Sequence, residues 1–190
     1  MQIRVRRTTL ISCLLLMGLL TSCVNLDRVF NTGYETKNLD IPVSIESIEF
    51  QDKRDYVSPG PDIRLPVFSL PGQFVDYYPE FSQAHKRLVA DIIHKNFRSN
   101  NATAFKANVE LIQGAKEFSA TFSKETETVI VRLRITLQNE KEKYIIETNG
   151  QWFVASADAK YKRFEELYQR AIQSVAFAGL QELKSKYLSQ

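Results

Sequence analysis

Cysteine is nearly missing from this 190-residue chain: Cys13 and Cys23 stand near the N-terminus and none follows. The body of the chain therefore has no thiol for a disulfide or a thiolate metal site. Histidine is as scarce. His85 and His94 are nine residues apart on one predicted helix. At 100° per residue they fall on opposite sides and cannot hold one metal from that helix. A zinc site would need distant carboxylates, so both read as surface or ordinary packed histidines. No G-x-S-x-G, G-x-x-x-x-G-K-[ST], G-x-G-x-x-G or H-E-x-x-H occurs. Glu165–Glu166 reads as ordinary helix surface, and "DKRD" (Asp52 to Asp55) as a turn of alternating ion pairs. Each exposed pair of that kind contributes about 0–1 kcal/mol. "KETE" and "NEKEK" read as solvated hairpin tips. No enzyme activity, cofactor or metal is expected.

Charge is also nearly balanced, with 25 basic against 22 acidic residues. Three of the basic residues are Arg4, Arg6 and Arg7, and an uncharged run from Thr8 to Leu20 follows them. That run is short of the roughly 20 apolar residues a membrane span needs. A basic start, a short apolar run and small residues after it mark a secretory signal peptide, 1–22. A buried N-terminal helix is the bland alternative, but soluble helices seldom lack polar positions over three turns. Without residues 1–22 the chain carries 22 basic and 22 acidic residues. No basic cluster suggests nucleic acid.

The run ends in "LTSC", Leu20 to Cys23. This resembles the lipobox of bacterial lipoproteins: an aliphatic residue, two small residues, then cysteine. The resemblance implies cleavage before Cys23 and acylation of its sulfur and its new amino group. An ordinary signal peptide with an incidental cysteine is the other reading. Each buried methylene contributes about 0.8 kcal/mol, and one chain binds a membrane only marginally, whereas several on one residue make a lasting anchor. Val24 stands where the enterobacterial sorting pattern has Asp for inner-membrane retention, which favours the outer membrane.

Residues 23–40 are polar and read as a lipidated flexible tether; 41–190 suffice for one domain. "VSIESIEFQD" reads as a strand. Its alternation changes phase between Ile45 and Ile48, which predicts a bulge near Glu46 or Ser47. Residues 53–79 hold five of the six prolines and read as a long loop without extended regular structure, save a short edge strand in "DIRLPVFSL". Its apolar content, Phe68 included, means that it packs on its own domain or offers a surface to a partner or membrane. From Pro79, set in the first turn, to Phe97 the period is helical, with Phe81, Ala84, Leu88 and Ile92 in the stripe. Residues 104–155 read as a β-meander. Phe118, Ala120 and Phe122 alternate, and Val129 to Leu137 has one apolar and one polar face. Asn149–Gly150 reads as a tight turn or bulge. A helical stripe from Phe164 to Tyr187, through Ala178 or Gly179, closes the chain, with Asp158 near its start.

The fold class is α+β: a mainly antiparallel sheet of about four strands with two helices packed on one face. Arg132 and Arg134 then share the helix-free face, as contacts for a phosphate or acidic partner or as a solubilising stripe. Trp152 belongs to the core or to an interface. The segments "ETVIVRLRITLQNEKEKYIIETNGQWF" and "FEELYQRAIQSVAFAGLQEL" resemble small envelope lipoproteins: lipopolysaccharide-assembly lipoproteins of the LptE type and auxiliary lipoproteins of ABC-type lipid transporters. The resemblance implies a non-enzymatic accessory role in envelope lipid or lipopolysaccharide transport or assembly. The partners expected are the membrane, through Cys23, and an envelope protein. A lipid- or small-ligand-binding module is the alternative.

Overall fold

The structure, a computed structural model, describes residues 38–60, 70–98, 104–156 and 161–188. Cys23, Phe68 and Asp158 lie outside the described residues. Along the chain come β1 (Ser44–Asp52), β2 (Phe74–Tyr77), α1 (Gln83–Asn96), β3 (Ala104–Ala120), β4 (Glu125–Gln138), β5 (Lys143–Ser156) and α2 (Tyr161–Leu188). The class is α+β, as expected, with both helices on one side of a mostly antiparallel sheet.

Seventeen residues make β3 long enough to take two partners along one edge. β1 runs parallel to its first half, from Ser44↔Ala104 to Asp52↔Leu111. β2 runs antiparallel to its last part, from Phe74↔Ser119 to Tyr77↔Lys116. The sheet thus has five strands rather than about four, and one pairing is parallel. The chain from β1 to β3 passes through β2 and α1, which supplies the long crossover a parallel pair requires. β2 is the "FVDY" segment, which lies between Pro71 and Pro79 and contains no proline.

Two bulges set which side chains enter the core. The first lies between Ile45 and Ser47, where the phase change predicted it. It keeps Ile45 and Ile48 on the helix-covered face, opposite Phe105 and Ala107. The second lies between Leu111 and Gln113. It turns Gly114, Lys116, Phe118 and Ala120 inward in place of their neighbours. β4 needs none: Val129, Val131, Leu133, Ile135 and Leu137 are all buried.

Ser82 caps α1, its Oγ accepting the His85 N–H at 3.3 Å. The helix therefore starts beyond Pro79. Its buried stripe is His85, Val89, Ile92, Ile93 and Asn96, while Ala84 is exposed. His85 takes the inner position because its ring finds polar partners there. In α2, Gly179 faces the sheet and Ala178 is exposed. A Cβ on Gly179 would lie 3.2 Å from both Ile135 Cδ1 and Thr148 Oγ1, so the missing side chain lets helix and sheet close up. β5 runs without a turn at Asn149–Gly150. Gly150 instead makes room for Trp152, whose Cη2 would be 2.1 Å from an added Cβ.

The sheet has a base and a tip. At the base, the Leu39 N–H donates to Asn96 Oδ1 at 2.8 Å and Lys184 Nζ donates to the Leu39 carbonyl at 2.6 Å. Tyr144 and Tyr187 pack edge to face there. At the tip lie the ends of β3 and β5, the start of β4 and all of β2. At about 3.3 Å per residue, β3 separates the two by roughly 50 Å.

Candidate functional site

Three places gather functional side chains: an ionic cluster under the helices, the helix-free face and the tip. The cluster follows from the second bulge, which turns Lys116 into the core at 1% exposure. Glu165 on α2 meets it, its Oε2 accepting from Lys116 Nζ. Glu165 Oε1 lies 3.3 Å from His85 Nε2 on α1 and accepts from Gln169 Nε2 at 2.9 Å. Lys116 Nζ also stands 5.8 Å from the Phe164 ring centre and 5.3 Å from that of Tyr168. Burial alone would raise the Glu165 carboxyl, but the hydrogen bonds from His85 and Lys116 outweigh it and hold the group far below the ordinary carboxylate range. Glu165, read from the sequence as ordinary helix surface, thus ties β3, α1 and α2 together. The signal was present: Lys116 is in phase with the inward Phe118 and Ala120.

A second polar clamp fills the gap between β1 and β2. The Arg54 side chain is 5% exposed and donates to Asp52 through Nε at 2.8 Å and Nη2 at 2.5 Å. It also donates to the carbonyls of Gly114 at 2.9 Å and Pro79 at 2.7 Å. "DKRD" is therefore more than an exposed turn.

Arg132 and Arg134 do lie on the helix-free face, in the middle of the sheet. Arg134 meets Glu147 of β5 at 2.8 Å and Glu110 of β3 at 3.3 Å; Arg132 is 3.9 Å from Glu147. Their charge is shared among three strands, so the stripe is close to neutral. A solvent-open concavity of about 1240 Å³ runs from there to the base, lined by Glu49, Lys106, Glu110, Arg134, Glu142 and Lys143 among others. Its walls are mostly charged. Trp152 is on the opposite, helix-covered face, half-buried against the core and opposite Val129.

His85 is buried and His94 exposed, on opposite sides of α1. Among the described residues no three His, Cys, Asp or Glu side chains converge as metal ligands do.

Three exposed apolar side chains gather at the tip. Phe122 in the β3–β4 turn is 96% exposed, Leu70 66% and Phe74 61%. Phe122 leaves the alternation of Phe118 and Ala120 because the chain turns at Thr121, whose N–H donates to the Lys124 carbonyl. Residues 70–73 lie beside it, with Gly72 N–H donating to the Ala120 carbonyl at 2.9 Å. Asp76 stands directly opposite Glu117 on the helix-free face nearby. Burial, and then the Asp76 charge, push the Glu117 carboxyl up.

No protein-family model matches the chain, and no curated protein does. Among solved structures, rare lipoprotein B from Shewanella oneidensis overlaps 76% of this chain and 98% of its own, at 12% identity and TM-score 0.41. A hypothetical protein from Chlamydia trachomatis overlaps 80% and 94%, at 11% identity and TM-score 0.26. Neither overlap is close enough to carry a function across. Among the described residues no helix is long and apolar enough to cross a membrane.

Proposed function

We propose that the chain is a lipid-anchored accessory protein of the bacterial cell envelope, acting by protein–protein contact and without chemistry of its own. The observation that carries this reading is the polarity of the domain. The chain enters the fold at the base, where Leu39 is held by Asn96 and Lys184. The exposed apolar side chains Leu70, Phe74 and Phe122 lie at the other end, roughly 50 Å away. An acyl anchor on Cys23 would attach the domain through its base and leave the tip free to reach a protein partner. The lipobox, with Val24 after it, supports an outer-membrane anchor. The resemblance of β4, β5 and α2 to LptE-type and transporter-auxiliary lipoproteins supports a setting in envelope lipid or lipopolysaccharide assembly.

The space between sheet and helices is filled by large side chains, among them Phe105, Phe118, Phe164, Tyr168 and Phe177. That packing favours the contact reading over an acyl-binding cavity. Cys23→Ser is expected to leave the precursor uncleaved and to abolish acyl labelling; unchanged labelling would sink the anchor. Affinity purification of the anchored wild type is expected to recover one envelope protein in stoichiometric amount. Its repeated absence would sink the contact reading.

A further inference from the structure

The two edges of the sheet are built differently. The β1–β2 edge is guarded: β1 carries a bulge, the edge is broken between β1 and β2, and Ser58 and Gly60 lie against the end of β2. There the Ser58 N–H donates to the Tyr78 carbonyl, and the Tyr78 N–H donates to Ser58 Oγ, each at 2.9 Å. The β5 edge has none of these devices. It keeps register with β4 over fourteen residues without a bulge or a proline, and among the described residues no strand pairs with its outer side. Long regular edges of this kind are what proteins normally block unless another strand uses them.

We infer that β5 pairs antiparallel with β5 of a second copy of this chain, about a two-fold axis through Asn149. Directly opposite residues share a face, so the axis must pass through a residue. With the axis at Asn149, Ile145 of one copy faces Phe153 of the other, twice. These are the two large apolar side chains that β5 exposes on the helix-free face, at 50% and 61%. Glu147 then faces Gln151, and Lys143 faces Ala155, so no like charges stand opposite. On the helix side Ile146 faces Trp152 and Tyr144 faces Val154, which continues the core across the seam. An axis through Thr148 would set Phe153 against Lys143, and one through Gly150 would set it against Glu147. Of these three registers only the one centred on Asn149 sets the exposed Ile145 and Phe153 against each other.

The geometry leaves room for it. Residues 143–155 would form about a dozen backbone hydrogen bonds, as many as an interface of standard size carries. α2 rests on β4 and β5. The two copies of α2 would lie about two strand spacings apart, roughly 10 Å, an ordinary distance for packed helices. The product is one sheet twice as wide, with all helices on one side and both tips exposed.

Cysteine pairs in the full chain, expressed in a bacterial envelope, test both pairing and register. Asn149→Cys is expected to give a disulfide-linked dimer on mild oxidation, since facing Cβ atoms are about 5 Å apart. Glu147→Cys or Gln151→Cys alone should give none, and the two together should. The unsubstituted chain, with only Cys13 and Cys23, sets the background. Independently, the detergent-solubilised wild type should sediment at twice the protomer mass, and Ile145→Lys with Phe153→Lys should weaken that dimer on the order of tenfold or more. Both substitutions are on exposed side chains, so the fold should survive them. A wild type that stays monomeric, crosslinks without register preference, or an Asn149→Cys adduct only with a different protein would each overturn the inference.

Discussion

Lys116 and Glu165 form an ion pair under the helices, and the two ends are not equally buried. Lys116 is 1% exposed while the Glu165 side chain is 27% exposed. Removing one partner of a buried pair costs about 3–5 kcal/mol; with Glu165 partly wet, Glu165→Gln is expected to cost about 2–3 kcal/mol in chemical denaturation. The pH dependence has a definite sign. The Glu165 carboxyl sits below its ordinary value of 4.5 in the folded protein. Its contribution is complete above about pH 4.5 and drains away as pH falls toward the folded value. Wild type should therefore lose stability below pH 4.5 more steeply than Glu165→Gln, and parallel acid limbs would contradict the pair. Gly114 makes a second residue-scale case. A Cβ there would lie 2.4 Å from the Tyr168 hydroxyl and 3.3 Å from Arg54 Nη1. Gly114→Ala should cost about 1–3 kcal/mol through overpacking. Gly114 could not be ranked from the sequence, because it sits beside the bulge itself; Lys116 is in phase with Phe118 and Ala120, but its partner Glu165 is 49 residues away. Burial of His85 was equally hidden, since its partner Glu165 is 80 residues away.

β2 shows what can be tested at the scale of an element. It is four residues long, its strand partner among the described residues is β3, and it sets Asp76 directly against Glu117. Like charges facing across a pair oppose the pairing. Burial and Asp76 raise the Glu117 carboxyl, so the folded state prefers it protonated. That contribution is fully present below the ordinary value near 4.5 and is lost as pH rises through the folded value. Glu117→Gln should therefore stabilise the domain by about 0.2–1 kcal/mol at neutral pH and by nothing near pH 3. The gain should appear as slower hydrogen exchange in β2; an equal gain at both pH values would point to packing instead. The long elements were legible for a physical reason. β4 is clean alternation over fourteen residues, and α2 keeps a stripe over seven turns, so each declares its buried face alone. β2 was not, because four residues between prolines carry no period. Its strand character comes from β3, which is long enough to reach past the end of β1.

For the whole molecule, the sequence indicated one sheet with two helices on one face, and the structure has that arrangement. It did not indicate the parallel β1–β3 pair, because alternation is the same in parallel and antiparallel strands. Nor did it foresee that Arg132 and Arg134 would be matched by Glu110 and Glu147, which requires knowing the register. Pairing moves the strongest surface signal from the centre of the helix-free face to the tip, where Leu70, Phe74 and Phe122 are exposed. Attachment at the base and contact at the tip is the central claim. It is tested by a photo-crosslinking residue placed at Phe122, or at Lys141 in the β4–β5 turn at the base, in the membrane-anchored protein. The Phe122 position is expected to yield a single strong adduct with one envelope protein, at least several-fold above Lys141, and Leu70→Lys with Phe74→Lys should abolish it. Equal labelling from both ends, or no adduct from the tip, would contradict it.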